Sequence, residues 1–222
     1  TLSAPFVLTA SILGATVSPN PDTIASATIG VPVSRSYTLT NLLGPFTGKA
    51  VGSTLGSARL GPFTIGHHEV QDYFVDVMGG STSLRATIGS PSDPAADLDL
   101  FVLRPDGTVA GQAADGDSEE SVTINNPAAG TWTVVVDGFA VPAGTTTYEY
   151  VDVFRKTPSF GSVSVTDADA LRSAGSSWTV PGTVTANEAP ASGRVLFGNV
   201  EVRTSDNILV GSGDVIVRSV SP

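Results

Sequence analysis

The sequence predicts an all-β chain, and three observations support that prediction. Its 222 residues include 24 glycines and 15 prolines, which interrupt every apolar helical period before it can extend. Apolar and polar residues alternate with period two in short runs, most clearly over residues 97–103. The best helical candidate, residues 166–174, has nine residues and no clear apolar stripe, so it is too short to change the fold class.

Short runs bounded by turn residues indicate the strands in order. Over residues 97–103, Leu98, Leu100 and Val102 share one face of a strand. The turn at residues 105–107, Pro-Asp-Gly, then reverses the chain, because proline presets φ and Asp-Gly tolerates positive φ. Further strands are predicted near residues 6–13, 33–40, 50–55, 131–137, 162–165, 178–184, 193–203 and 207–218.

The middle of the chain carries three motifs in order. Asp-Tyr-Phe-Val-Asp-Val begins at residue 72, Asp-Leu-Asp-Leu-Phe-Val at residue 97 and Asn-Pro-Ala-Ala-Gly-Thr-Trp at residue 126. In this order they resemble the bacterial pre-peptidase C-terminal domain, and the resemblance covers residues 63–156. It implies a small, jelly-roll-like β-sandwich that is appended to a secreted protease.

Charge is concentrated in the same stretch. The chain has 21 acidic and 11 basic residues, a formal net charge of -10. Residues 63–156 hold 14 of the acidic and 4 of the basic residues, so the flanking segments are neutral together. Such a charge argues against nucleic acid and anionic membranes as partners, since both require a positive surface. Without a cysteine, the chain has no disulfide and no thiolate nucleophile.

No apolar run approaches the ~18 residues that a membrane span needs, and no basic-apolar leader opens the chain. We therefore expect a soluble chain that is a mature or excised fragment.

Each flank is too short for an immunoglobulin-like sandwich, which needs about seven strands. Together the flanks supply that number, and domain insertion is tolerated at exposed loops. We therefore predict that residues 1–62 and 158–222 form one discontinuous sandwich, with a second sandwich over residues 63–157 inserted in it. Residues 31–51 and 193–220 resemble the opening strand and closing hairpin of the fibronectin-III-like domain of subtilisin-like proteases.

Catalytic groups are sparse in the sequence. The two histidines, His67 and His68, are adjacent and would face opposite sides of a strand, and no Gly-x-Ser-x-Gly accompanies them. The second histidine of a His-Glu-x-x-His zinc motif is also missing. Asp97 and Asp99 share a strand face, but they lack the apolar pocket that a glycosidase acid requires. We predict that this fragment is not an enzyme; the resemblance to the pre-peptidase C-terminal domain implies that its parent is a serine peptidase.

Four aspartates are candidate ligands of a structural calcium ion: Asp97, Asp99, Asp115 and Asp117. Calcium takes several oxygen ligands, and an acidic loop over residues 114–120 follows the strand that holds the first two aspartates. The alternative is that this loop is an ordinary solvated surface.

Aromatic residues suggest a binding surface. Tyr148 and Tyr150 share a strand face, and we predict that their exposed rings contact protein or sugar. The alternative is that one ring belongs to the core and the other to its rim. The two tryptophans, Trp132 and Trp178, are assigned one to each core, and Phe74 and Phe101 should join Trp132.

The two resemblances imply a non-catalytic C-terminal accessory region of a secreted, extracellular, bacterial subtilisin-like serine protease. Its partners would be the parent catalytic domain, which it would stabilise or orient, and a protein substrate, which it would dock. The alternative is a free-standing adhesion or carbohydrate-binding β-sandwich module.

Overall fold

The computed structural model describes residues 13–222, and all regular structure in that range is extended. The prediction of an all-β chain is confirmed. The strand expected near residues 6–13 falls, apart from its last residue, outside the described range. No helix within residues 13–222 has the length and apolarity that crossing a membrane requires. The strands are β1 (Ala15–Ser18), β2 (Asp22–Ile24), β3 (Ala27–Thr28), β4 (Val33–Asn41), β5 (Phe46–Gly52), β6 (Gly56–Leu60), β7 (Phe63–Gly66), β8 (Val70–Val77), β9 (Ser81–Gly89), β10 (Asp97–Leu103), β11 (Val109–Ala113), β12 (Ser121–Asn125), β13 (Gly130–Ala140), β14 (Thr145–Lys156), β15 (Gly161–Val165), β16 (Ala170–Arg172), β17 (Ser177–Ala186), β18 (Val195–Thr204), β19 (Leu209–Val217) and β20 (Val220–Ser221).

Strands from the two flanks interleave in the same sheets. One sheet has the order β1-β4-β17-β15, and antiparallel pairing joins β4 to β17 over eight residues. In a second sheet, β18 pairs with β5, β6 and β19, and β19 pairs with β2. The core of this half is built from side chains that are at most 1% exposed: Tyr37, Leu39, Val184, Val200 and Val215. That the two flanks fold together as one discontinuous domain stays a prediction.

The stretch with the three motifs forms its own pair of layers. A sheet of order β11-β10-β13-β8 lies on one side of the core, and β12, β9, β14 and β7 lie on the other. The alternation predicted for β10 is confirmed, since Leu98, Leu100 and Val102 are fully buried. Trp132, at 3% exposure, also belongs to this core. Phe74 does not, because β8 turns Tyr73 and Val75 inward and leaves Phe74 59% exposed. Phe101 does not either, because it lies on the face of β10 opposite Leu100 and Val102 and is only partly buried.

Strand β14 links the two halves of the molecule. Along one edge it pairs with β9 over Glu149–Lys156; along the other it pairs with β7 over Thr145–Tyr148 and with β6 over Val151–Phe154. Because β6 pairs in turn with β18, one sheet runs without a break from the acidic module into the flanking strands.

A buried ion pair crosses the same boundary. Arg194, just before β18, contacts the carboxylate of Asp152 on β14, and the two side chains are 6% and 0% exposed. Arg194 also donates to the carbonyl oxygen of Ser57 at 3.1 Å, and Tyr150 donates its hydroxyl proton to Asp152 at 3.0 Å. The ion pair and its hydrogen bonds therefore join β14 and β6 to the segment just before β18.

The helical candidate at residues 166–174 contains strand β16 instead, which pairs with β5. The contacts of Asp167 explain why this segment is extended and not helical. Its carboxylate accepts hydrogen bonds from the amide of Ala50 at 2.8 Å and from Arg172 at 2.8 Å. It also accepts one from the indole of Trp178 at 3.0 Å. These partners come from three separate segments, and they hold the chain extended. Trp178 is only partly buried, with the Arg172 guanidinium 4.2 Å from the centre of its ring.

Candidate functional site

The acidic loop between β11 and β12 is anchored near its C-terminal end. Glu120 exchanges two backbone hydrogen bonds with Ile88, at 3.0 and 3.1 Å. Ser118 is buried and donates its hydroxyl proton to the carbonyl oxygen of Ala96 at 2.7 Å. The loop is therefore held against the start of β10, where the two strand aspartates lie.

Three carboxylates of this loop converge. Ligand oxygens of Asp115, Asp117 and Glu120 all lie within 4.8 Å of one another. Glu120, which the sequence prediction omitted, is only 4% exposed, and its carboxylate accepts a hydrogen bond from the amide of Asp115 at 3.0 Å. The residue directly precedes β12, where it faces inward; this alternation with Val122 is the signal that could have identified it.

The two strand aspartates lie among other acids. Asp99 stands directly opposite Asp137 in the pairing of β10 with β13, an arrangement in which like charges repel. Burial, followed by the negative charges of Asp97, Asp137, Glu120 and Asp115, raises the pKa of Asp99. The Oδ1 atom of Asp97 is buried, and no hydrogen-bond partner for it exists among residues 13–222.

The tyrosines predicted to form an exposed binding surface are buried. Tyr148 and Tyr150 are 1% and 0% exposed, so that prediction is wrong. Both face the core because sheets cover β14 on that side, where the hydroxyl groups of Tyr148 and Tyr73 lie 2.7 Å apart. Burial, as the largest effect, raises the pKa of both Tyr148 and Tyr150. Their role is therefore in packing and internal hydrogen bonding.

The two histidines occupy the turn between β7 and β8 and do not point to opposite faces. His68 has a positive φ of 59°, which brings the two ring centres to 3.7 Å from each other. The Nδ1 atom of His67 accepts a hydrogen bond from the amide of Val141 at 3.0 Å. That nitrogen thus serves to hold a loop.

The outer face of the β11-β10-β13-β8 sheet carries an apolar row that sequence reasoning missed. Strand pairing places Phe74, Thr133, Leu103 and Val109 side by side across the four strands. Phe74 and Val109 are 59% and 51% exposed. Neighbouring residues on a strand face opposite ways, so the burial of Tyr73 was the signal that Phe74 points outward.

Comparison with known proteins first identifies a class for the central module. Residues 69–138 match the family model described as the bacterial pre-peptidase C-terminal domain. The predicted resemblance of this segment is thereby confirmed.

A particular relative extends the similarity beyond the module. The chain is 24% identical over 176 residues to pyrolysin of Pyrococcus furiosus, a match that covers 78% of this chain and 12% of pyrolysin. The chain thus spans about an eighth of the length of that relative.

Two solved structures show weaker likeness. PliG of Aeromonas hydrophila, a periplasmic inhibitor of g-type lysozyme, is 16% identical, with a TM-score of 0.28 over 60% of this chain and 99% of that chain. The lipase BlEst2 of Bacillus licheniformis in its propeptide form is 13% identical, with a TM-score of 0.30 over 75% of this chain and 40% of the lipase. Both scores lie below 0.5, so neither likeness defines the fold.

Proposed function

We propose that this chain is a non-catalytic accessory region of a secreted, subtilisin-like serine protease. Two matches together support this proposal. The central module matches the pre-peptidase C-terminal family, and the similarity to pyrolysin, a subtilisin-like protease, spans 176 residues. Because residues 63–157 number fewer than 100, that match must include much of the flanks. The similarity to pyrolysin therefore covers the module together with parts of its flanks.

The region itself performs no hydrolysis in this proposal. A serine protease needs a histidine nitrogen that is free to accept the proton of its nucleophile. The Nδ1 atom of His67 accepts a backbone amide, so in the neutral ring Nε2 carries the proton and neither nitrogen is free. The chain should cleave neither casein nor a chromogenic peptide. Protease activity that survives repurification and is lost on substitution of one serine in this chain would contradict the proposal.

Its role is to stabilise or orient the catalytic domain and to dock protein substrate. Docking is supported by the exposed row around Phe74, since aromatic side chains contribute large contact areas at interfaces. The chain should bind immobilised denatured casein in surface plasmon resonance, and Phe74→Ser should weaken that binding about tenfold. Leu171→Ser is the matched control, because Leu171 is 70% exposed and lies outside the row. Equal binding by the two variants would refute docking through this face.

The alternative function is that of a free-standing adhesion or carbohydrate-binding module. The rest of the reading frame that encodes the chain distinguishes the two functions. A serine-protease catalytic segment in the same frame supports the accessory role. A glycosidase segment or a cell-wall sorting signal there, without a protease, would favour the alternative.

We also propose that the module binds one calcium ion through Asp115, Asp117 and Glu120, with Asp97 and Asp99, the two predicted ligands that the 4.8 Å grouping does not include, contributing through bridging waters. Ligands at 2.3 to 2.6 Å from one ion lie at most about 5 Å apart, and the 4.8 Å grouping of the three loop carboxylates fits that limit. The buried Oδ1 atom of Asp97 also fits, since a water bound to the cation would satisfy it. When bound, the ion would supply the positive charge that offsets repulsion between these carboxylates.

Thermal unfolding of the full chain tests the calcium site. A ligand at a hundredfold excess over its Kd stabilises by about 2.7 kcal/mol, which for a chain of this size raises Tm by roughly 5 to 10 °C. Millimolar calcium should produce this shift relative to EDTA, while magnesium should not. Asp117→Asn should abolish the shift, whereas Asp206→Asn, an exposed position outside the module, should preserve it. Equal Tm values in calcium and magnesium would exclude the site.

A further inference from the structure

A groove of about 180 Å³ lies on the face of the continuous sheet that is turned away from the main core. It crosses from the acidic module to the flanks, because its walls come from β9 and β14 on one side and from β18 and β19 on the other. Its floor is apolar: Val153 and Phe197 are 2% and 7% exposed and belong to a small cluster separate from the main core. Concave sites with apolar walls are common ligand sites, and those for drug-sized molecules have volumes of about 300 to 1,000 Å³, so this groove is sized for a smaller group.

Two arginines line this groove. The pairing of β9 with β14 places Arg85 opposite Val153, and Arg155 follows Val153 by two residues on β14. Both guanidinium groups therefore lie on the same face of the sheet. Within residues 13–222, neither arginine has a carboxylate within salt-bridge distance. Their Nε atoms donate weak hydrogen bonds, Arg85 to the hydroxyl of Ser121 at 3.4 Å and Arg155 to the carbonyl oxygen of Thr54 at 3.3 Å. Their terminal nitrogens have no hydrogen-bond acceptor in the described part of the chain.

This arrangement is unexpected for the charge of the module. Residues 63–156 contain 14 acidic residues and only 4 basic ones, and two of those four lie together in the groove. Burial and the neighbouring positive charge of Arg85 lower the pKa of Arg155, so the pair is electrostatically unfavourable without an anion. The nearby carboxylate of Glu201 is already bound by Arg203 at 2.6 Å. Within residues 13–222 the two arginines thus form a positive site that Asp214, which interacts electrostatically with Arg85 across the groove, offsets only in part.

We propose that this groove binds the carboxylate of a polypeptide, with Arg85 and Arg155 holding the carboxylate and the apolar floor holding the adjoining side chain. Guanidinium groups match carboxylates through paired, charge-assisted hydrogen bonds. Val151, Val153 and Phe197 offer an apolar surface beside them. The volume suits one acidic residue and part of a neighbour, which indicates recognition of a short segment. This inference concerns the present chain alone and does not depend on the proposed protease.

Asp214 sets the far limit of the groove. Its carboxylate accepts a hydrogen bond from the side-chain amide of Asn199 at 2.8 Å and lies beyond salt-bridge distance of Arg85. A second carboxylate bound at the arginines would be repelled by Asp214, so loss of its charge should strengthen binding. This opposite effect distinguishes ligand binding from a general loss of structure.

Titration of the full chain with two peptides, followed by amide NMR shifts at low ionic strength, tests the proposal. Acetyl-Leu-Glu-Leu-amide should shift resonances of β9, β14 and β18, and the isosteric Leu-Gln-Leu peptide should bind at least tenfold more weakly. Arg85→Gln and Arg155→Gln should each weaken binding of the glutamate peptide about tenfold. Arg218→Gln removes the same charge at an exposed position outside the groove and should leave the affinity unchanged.

Two further variants keep the test decisive if a glutamine variant fails to fold. Arg155→Lys keeps the charge but loses the planar fork, so it should weaken binding less than Arg155→Gln does. Asp214→Asn should strengthen binding severalfold. Glutarate, tested at the same concentration, reports whether a small free carboxylate suffices, and tighter binding of the peptide assigns the site to polypeptides. Equal affinity for the glutamate and glutamine peptides, or unchanged affinity in both Arg85→Gln and Asp214→Asn, would overturn the proposal.

Discussion

The buried ion pair between Asp152 and Arg194 should be the most sensitive polar contact at the boundary of the two halves. Asp152→Asn removes one charge and leaves Arg194, whose side chain is 6% exposed, without a counter-charge. Breaking a buried pair in this way typically costs about 3 to 5 kcal/mol, since the remaining charge is desolvated and uncompensated. The loss should be in this range, because Asp152 is fully buried and Tyr150 also donates to it.

Equilibrium unfolding in urea, followed by tryptophan fluorescence, measures this loss. Asp169→Asn is the matched control: it removes the ion pair with Lys49, and because the two side chains are 44% and 45% exposed, the cost should stay below about 1 kcal/mol. The double variant Asp152→Asn with Arg194→Met should cost less than the sum of the two single variants, because neither charge is then left alone. A loss of under about 1 kcal/mol for Asp152→Asn would refute the reasoning.

Three further predictions follow from packing, titration and strand order. Gly52→Ala should lower the free energy of unfolding in urea by about 1 to 3 kcal/mol, because the added Cβ would clash with the carbonyl oxygen of Val163. Gly79→Ala is the control: it has open space around it and should change the free energy of unfolding by under about 0.5 kcal/mol. Burial is the main cause that raises the pKa of Asp214, so the folded protein binds this proton more tightly than the unfolded chain does. As pH rises through that pKa, the stability of the wild type should therefore fall relative to that of Asp214→Asn. A stability difference that is independent of pH would contradict this. Replacing residues 63–156 by a short Gly-Ser linker should leave a protein that still unfolds cooperatively. Its stability should be lower, because β6 loses β14 as its neighbour. Cooperative melting of either flank expressed alone would contradict the discontinuous domain.

The sequence was sufficient where the signal is local. The alternation of Leu98, Leu100 and Val102 predicted β10 within its observed bounds, because side chains alternate between the faces of any strand. The turn after it was equally predictable, since Gly107 has the positive φ of 82° that the Pro-Asp-Gly signal implies. The burial of Trp132 also matched its assignment.

The candidate sites were only partly predictable for a related reason. Acidic composition marked the loop that holds Asp115 and Asp117, but the inward position of Glu120 depends on how that loop pairs with Ile88 on a distant strand. The helical candidate at residues 166–174 became a strand because the partners of Asp167 come from three separate segments of the chain.

By itself, then, the sequence determined the fold class, the period of the main strands and the concentration of negative charge in the central module. For strands without one clearly apolar face, such as β14, only the tertiary structure decided which face is covered. Period-two alternation is the same whichever face is buried, so Tyr148 and Tyr150 could be assigned to a face but not to the core. The groove at Arg85 and Arg155 likewise exists only because β6 pairs with both β14 and β18, from which residues 61–144 and 61–194 separate it in the chain.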